Sequence, residues 1–270
     1  MEFERLANGM EIPKIFFGTY RIHDADDVQT VIRDAYACGY RAFDSAAYYK
    51  NEEELRQAFS ALGIRQEVLV TSKVWNDAEG YDAVIREFTE SEARLGSIDI
   101  FMLHWPAAEF RTRWQALEDL YLAGRVRAIG VSNFKRHHLE ELMEHARVKP
   151  MIDQIEAHAY FMDYDTIDFC KAEGICVQAW RPLMRTGHML ENPEIAELGR
   201  AHGKTAAQVC LKYLLQSGLC IVPKSVKRAR MQENIDLFDF TLTPAEMEFM
   251  RGLNAGMRTA DDPDDYPWDK

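Results

Sequence analysis

An acid, an amine and an imidazole each end a short apolar run in this chain. Asp44 follows YRAF, Lys73 follows VLVTS, and His104 follows IDIFML. Two adjacent tyrosines, Tyr48 and Tyr49, come after Asp44 in FDSAAYYKNEEEL. Together these groups suit proton donation to a carbonyl oxygen. A free phenol has a pKa of about 10, too high for an efficient acid at neutral pH. A nearby ammonium lowers it by stabilising the phenolate. A carboxylate paired to the lysine offsets the cost of burying it, and a neutral imidazole can hydrogen-bond the same carbonyl. Reducing the carbonyl carbon then needs a hydride, which a cofactor must bring. Taken singly, the same residues read as a salt bridge and a satisfied core histidine. Their coincidence at three successive run ends favours chemistry. Residue types alone do not choose between the tyrosines.

These residues need a frame that gathers the ends of its strands. Short apolar runs alternate with amphipathic stretches along the whole chain. FERLANGMEIPK reads as a β-hairpin about Asn8-Gly9, a pair suited to a type I′ turn. KIFFGT is a strand and residues 26–38 a helix; YRAFDS is a strand, and NEEELRQAFSAL a helix with Asn51 as N-cap. EVLVTSKV, IDIFMLH, VRAIGVSN, MIDQIEAH, ICVQAW and LCIVPKS are six further strands. Helices are expected over 80–95, on TRWQALEDLYLAG, over 136–146, on DTIDFCKAEG, over 192–202, 205–216 and 228–236, and from the Thr243-Pro244 cap. Strands alternating with helices imply a parallel sheet, and eight such units imply closure. The expected fold is α/β: a (β/α)8 TIM barrel with an N-terminal β-hairpin and a short C-terminal tail, one domain over 1–270. In such barrels active sites lie at the carboxyl ends of the strands. The tail RTADDPDDYPWDK reads as a loop or frayed end.

Bulk properties narrow the partners. The chain has 270 residues, 47% hydrophobic and 28% charged, with net charge −12. An acidic chain of this kind is a poor nucleic-acid binder, because phosphate contacts need clustered Lys and Arg. No apolar run approaches the roughly 18 residues of a membrane span, and the start of the chain does not resemble a signal peptide. The five cysteines form no C-x-x-C pair and no metal-ligand spacing. The expectation is a soluble, cytoplasmic protein with reduced thiols and no metal, its oligomeric state unreadable and a monomer the default.

Longer motifs then point to a family. GYRAFDSAAYYKNEEELRQAF, VLVTSKVWN, IDIFMLHWP, GRVRAIGVSNF, PMIDQIEAH and IVPKSVKRARMQENIDLFDFTLT occur in this order between about residues 6 and 254. They resemble the aldo-keto reductase family, barrels that use NADPH without a Rossmann domain. No G-x-G-x-x-G occurs here. The resemblance implies that Tyr49, five residues after Asp44, is the general acid. Lys73 would lower its pKa, Asp44 would hold Lys73, and His104 would orient the carbonyl. Tyr48 would line the substrate mouth with Tyr20, Trp75 and Trp105.

The resemblance also implies cofactor contacts. Ser132, Asn133 and Gln154 would bind the nicotinamide carboxamide, and Trp180 would stack on its ring. Gly18, Thr19, Tyr20, Arg181 and Leu183 would border the cofactor. Lys224, Ser225, Val226 and Arg230 would surround the 2′-phosphate, with Glu233 and Asn234 on the adenine. Lys224, Lys227, Arg228 and Arg230 stand together without an acid in a chain rich in acids, which fits a phosphate pocket. Arg181 replaces a usually small residue beside the pyrophosphate. The segment from His104 to Trp114 is shorter than is common, and no long loop follows the last helix. These features suggest an open mouth for small dicarbonyls, keto-sugars and aromatic aldehydes, as in short bacterial members similar to 2,5-diketogluconate and glyoxal or methylglyoxal reductases. The rivals are a non-catalytic NADPH-binding member and another barrel chemistry, an isomerase or lyase.

Overall fold

A computed structural model describes residues 2–23, 27–184 and 188–265. Two short strands, β1 (Phe3–Arg5) and β2 (Glu11–Pro13), pair antiparallel at the start of the chain. Eight parallel strands follow: β3 (Phe17–Gly18), β4 (Ala42–Asp44), β5 (Leu69–Val74), β6 (Ile100–Leu103), β7 (Ala128–Ser132), β8 (Ile152–Glu156), β9 (Cys176–Trp180) and β10 (Cys220–Val222). Each pairs with the next in chain order. The ring closes where Ile15 bridges Ile221 in parallel. There the Phe16 N–H donates to the Ile221 carbonyl at 2.9 Å and the Gly18 N–H to the Pro223 carbonyl at 3.0 Å. This is the expected (β/α)8 barrel. All five residues of β7 and all five of β8 are buried, as strands covered on both faces must be. Gly130 of β7 lets its neighbour approach closely: a Cβ there would stand 2.7 Å from the Ile152 carbonyl oxygen.

Ten helices among the described residues surround the strands: α1 (Val28–Cys38), α2 (Glu52–Leu62), α3 (Gly80–Leu95), α4 (Phe110–Leu122), α5 (Arg136–Met143), α6 (Tyr164–Ala172), α7 (Pro193–Ala201), α8 (Ala206–Gln216), α9 (Arg228–Ile235) and α10 (Pro244–Gly252). Helical spacing selects their inner faces. Val28, Val31, Ile32 and Ala35 of α1 are all buried. Thr243 caps α10 with Pro244 in its first turn, as expected. Among the described residues no helix is long and apolar enough to cross a membrane.

Two local expectations are corrected. The hairpin connection is not a two-residue type I′ turn. The Gly9 N–H donates back to Leu6 and the Leu6 N–H to Met10. That leaves a three-residue loop in which only Gly9 takes positive φ, 86°. The Asn8 side chain instead reaches the Arg127 carbonyl, 2.9 Å away. Asn51 precedes α2 but caps nothing with its side chain. Its amide bridges Ser45 Oγ at 2.9 Å and the carbonyls of Thr19 and Ile22 at 2.9 and 3.2 Å. Of the two readings of the tail, the loop holds: it docks through Thr259 and Ala260, and its positions 266–270, like position 26 of the expected first helix, lie outside the described residues.

Candidate active site

β4, β5 and β6 are consecutive neighbours, so their ends bring Asp44, Lys73 and His104 into one place. Lys73 is 0% exposed and Asp44 3%. The ammonium donates to Asp44 Oδ1 and Oδ2, both at 2.8 Å, and to the Ser45 carbonyl at 2.9 Å. Three bonds use all three donors of a lysine. Burial pushes the Lys73 pKa down, and Asp44 opposes that shift. Gln154 adds a bond from Nε2 to Asp44 Oδ1 at 2.8 Å.

The loop after β4 makes one 3-10 turn, Ala47–Tyr49, which Lys50 ends at φ 53°. Asn51 ties this loop to the segment after β3, so the two tyrosines diverge from a fixed base. Tyr49 packs 5.0 Å from Tyr20 and 5.7 Å from His104 between ring centroids, and Lys73 Nζ lies 5.3 Å from its centroid. Tyr48 is 45% exposed and stacks on Trp75 at 3.9 Å and 22°. His104 stands edge-on to Tyr48, Tyr49 and Trp75. Burial, with the charges of Lys73 and Arg113, holds its pKa well below the ordinary histidine value. The imidazole is therefore neutral at pH 7. Its Nδ1 is buried without a partner, which leaves Nε2 as the nitrogen for a ligand.

The expected lowering of the Tyr49 pKa is not found. Burial pushes it well above the ordinary value, Asp44 and Tyr20 add to the rise, and Arg181 opposes it. Burial is the largest cause, and the pairing beneath leaves it little opposed: Lys73 turns its donors to Asp44 and Ser45, and the carboxylate offsets part of its charge at the phenol. Tyr49 keeps its proton at neutral pH.

A cleft of about 850 Å³ opens over these residues. Tyr49, Tyr48, His104, Trp75, Trp105 and Tyr20 line one part of it. Gly18, Ser132, Asn133, Gln154, Trp180, Arg181, Leu183 and Lys224 line the rest. Asn133 takes φ 64°, a value Asn tolerates. Its Nδ2 donates to the His104 carbonyl at 2.9 Å, and its Oδ1 accepts from Trp180 Nε1 at 2.9 Å. Ser132 Oγ donates to the Gln154 carbonyl at 2.7 Å.

Six expected cofactor residues lie off the cleft. Thr19 is fully buried, with Oγ1 bonded to the Asp44 carbonyl at 2.9 Å. Ser225 Oγ accepts from the Lys227 N–H at 3.0 Å. Val226 and Arg230 are exposed beyond the rim. Glu233 accepts from Thr205 Oγ1, and Asn234 is buried in α9. The cleft itself would hold a dinucleotide's nicotinamide end: amides from Asn133 and Gln154, an indole fixed by Asn133, and cations from Arg181 and Lys224.

The acidic tail, expected from the sequence near the barrel mouth with Asp261, Asp262, Asp264 and Asp265, does reach the cleft through Asp261, and it adds wall residues that were not singled out, Arg258, Thr259 and Ala260. Glu156, 1% exposed at the end of β8, accepts from the N–H groups of Thr259 and Ala260 at 2.8 and 3.2 Å, and from Thr259 Oγ1. Arg181 Nη1 donates to the Thr259 carbonyl at 2.8 Å. The available signal was a glutamate at the carboxyl end of the expected strand MIDQIEAH.

Comparison with known proteins matches this geometry. The model described as "Aldo/keto reductase family" matches residues 14–255. The chain is 40% identical to a glyoxal reductase of Bacillus subtilis, over 97% of this chain and 96% of that one. An aldo-keto reductase from a deep-sea metagenome library superposes with TM-score 0.93 and 36% identity, covering 98% of this chain and 99% of that one. An aldo-keto reductase of Bombyx mori in complex with NADP gives 0.90 at 31% identity, over 98% and 97% of the two chains.

Proposed function

Because the chain belongs to the aldo/keto reductase family, an NADP-dependent group of oxidoreductases acting on carbonyls, we propose that it reduces small aldehydes and ketones with NADPH, and that Tyr49 is the proton donor. The observation that carries this reading is the Tyr49 phenol beside the His104 imidazole, ring centroids 5.7 Å apart, over the buried Lys73–Asp44 pair. NADPH, when bound, supplies the reducing equivalent. Ser132, Asn133 and Gln154, which line the cleft, are the residues we assign to its carboxamide, Trp180 to its ring, and Arg181 and Lys224 to its phosphates.

The protein's own groups then divide the work. His104 donates from Nε2 to the carbonyl oxygen and orients it. Tyr49 delivers its Oη proton to the same oxygen as negative charge develops there. The ammonium of Lys73, 5.3 Å from the ring centroid, steadies the phenolate left behind. The raised pKa keeps the acid loaded, at the cost of a weaker driving force for proton transfer. Tyr48, Trp75 and Trp105 form a flat aromatic mouth for small dicarbonyls, keto-sugars and aromatic aldehydes, a class that includes the compound named for the B. subtilis relative.

The test is NADPH consumption across a carbonyl panel with wild type, Tyr49→Phe and Tyr48→Phe. Tyr49→Phe is expected to lower kcat by about 10² to 10⁴, the scale of general-acid catalysis, with NADPH binding kept. Tyr48→Phe keeps the stack on Trp75 and most of the activity. A dead Tyr48→Phe with an active Tyr49→Phe would reverse the assignment.

A further inference from the structure

The peptide unit of Trp75 is gripped from two helices. Glu87 of α3 accepts from the Trp75 N–H through Oε1 at 3.1 Å. Arg113 of α4 donates from Nη2 to the Trp75 carbonyl at 2.6 Å. Neither arrangement is cheap. Arg113 is 0% exposed, and its Nε and Nη1 are buried without hydrogen-bond partners. Burial drives the Arg113 pKa down to about 10 and that of Glu87 up to about 7. A fully buried guanidinium with unmet donors destabilises a fold relative to an apolar side chain of similar size. Such a group calls for a reason beyond packing.

The reason lies on the other side of Trp75. Its indole carries Tyr48 at 3.9 Å in a stacked pair and meets His104 edge-on at 5.0 Å. Tyr48, 45% exposed, meets His104 edge-on at 6.3 Å and takes its closest ring contact from Trp75, so the angle of the pair depends largely on Trp75. A second cavity, lined by Glu87, Asp77 and Arg94 among others, lies behind the same two rings. The stacked pair is thus a thin partition with space on both faces, and side-chain packing alone does not fix it.

We propose that Glu87 and Arg113 are positioning residues which, by clamping the Trp75 backbone, hold the Trp75–Tyr48 partition upright beside His104 and so favour planar carbonyl substrates over branched ones. The substrate half of this statement rests on the function proposed above; the clamp itself does not. A flat aldehyde gains contact with a fixed aromatic wall, whereas a branched aliphatic aldehyde gains little from it.

Two readouts test the proposal in Glu87→Ala, Glu87→Gln and Arg113→Met. The first is optical and needs no turnover: the near-UV circular dichroism lost on Tyr48→Ala marks the stacked pair. That signal is expected to fall in Glu87→Ala and Arg113→Met, and to persist in Glu87→Gln, whose amide oxygen can accept the same bond. The second is kinetic. In the first two variants KM for an aromatic aldehyde is expected to rise about 3- to 10-fold, the scale of one lost aromatic contact. In Glu87→Ala, kcat, NADPH affinity and KM for a branched aliphatic aldehyde should stay within about twofold. An unchanged optical signal in folded Arg113→Met overturns the clamp, whether or not Glu87→Ala folds. Equal loss in Glu87→Gln and Glu87→Ala would also overturn it. An altered signal with unchanged KM ratios overturns the specificity half. A wild type that reduces no carbonyl removes the reading of function and leaves the optical arm to decide the clamp.

Discussion

Glu156 and Thr259 are joined twice: the buried carboxylate accepts from both the backbone N–H and the hydroxyl of Thr259. This joint fastens the tail to the end of β8 and, through the Thr259 carbonyl, holds Arg181. Burial raises the Glu156 pKa, but the bonds from His158 and Thr259 outweigh it and keep the carboxyl below its ordinary value. A lowered acid pKa stabilises the fold above the unfolded value, about 4.3. That contribution is lost as pH falls through the folded pKa. Glu156→Gln should therefore lower Tm at pH 7, and the gap between variant and wild type should close below about pH 4. A gap that persists undiminished in acid, followed by thermal melts, would contradict the assignment.

The Asp44–Lys73 pair should be strongly non-additive. Removing one partner leaves an unpaired buried charge, at a cost of about 3–5 kcal/mol. Asp44→Asn and Lys73→Met are each expected to destabilise on that scale. The double variant should be more stable than the sum of the two singles allows. Urea unfolding in a double-mutant cycle measures this, and strict additivity would mean that the pair carries no coupling.

The basic segment before and within α9 separates into used and available cations. Arg228 pairs with Asp34 at 3.2 Å. Arg230 projects from the exposed face of the same helix. Arg230→Ala should weaken NADPH by about 10- to 100-fold, as for one charge-assisted bond to phosphate, and leave NADH nearly unchanged. Arg228→Ala should change neither by much. Fluorescence titration with both cofactors distinguishes a phosphate contact from a structural one, which would weaken both alike.

Of the tail acids, Asp262 and Asp264 share Lys135, and Asp262 also pairs with Arg258, while Asp261 lines the cleft. Asp261→Asn should raise kcat/KM for a keto-acid relative to a neutral aldehyde, and the gain should shrink with salt. Truncation after Met257 is a poorer probe, because it also strips Glu156 of Thr259. An unchanged ratio in Asp261→Asn would remove the tail's charge from substrate selection.

The frame was legible because it is periodic. Apolar runs at strand ends named Asp44, Lys73 and His104 before any coordinate, and helical spacing found the inner face of α1. What escaped was set by contacts between distant residues. Asn51 has the position and chemistry of a helix cap, yet three partners across the loop claim its amide. The same holds for Asn8, whose amide reaches Arg127 instead of shaping a tighter turn. The direction of the Tyr49 shift depended on how deeply the fold buries the phenol and on the Asp44 charge beneath it, which no spacing encodes. The docked tail needed Glu156, a residue more than a hundred positions away.

Closure of the ring has a consequence for how the chain reaches this state. The seam joins Ile15 to Ile221, so β3 waits for almost all of the sheet before it finds its second neighbour. Until then both outer strands present unpaired backbone to other molecules. Contacts this distant in sequence slow folding and lengthen that exposure. During biosynthesis the nascent chain therefore carries an open-edged sheet from its first strands until β10 leaves the ribosome. Recovery of native protein from denaturant should accordingly depend on protein concentration more steeply than the stability of the closed barrel alone would suggest.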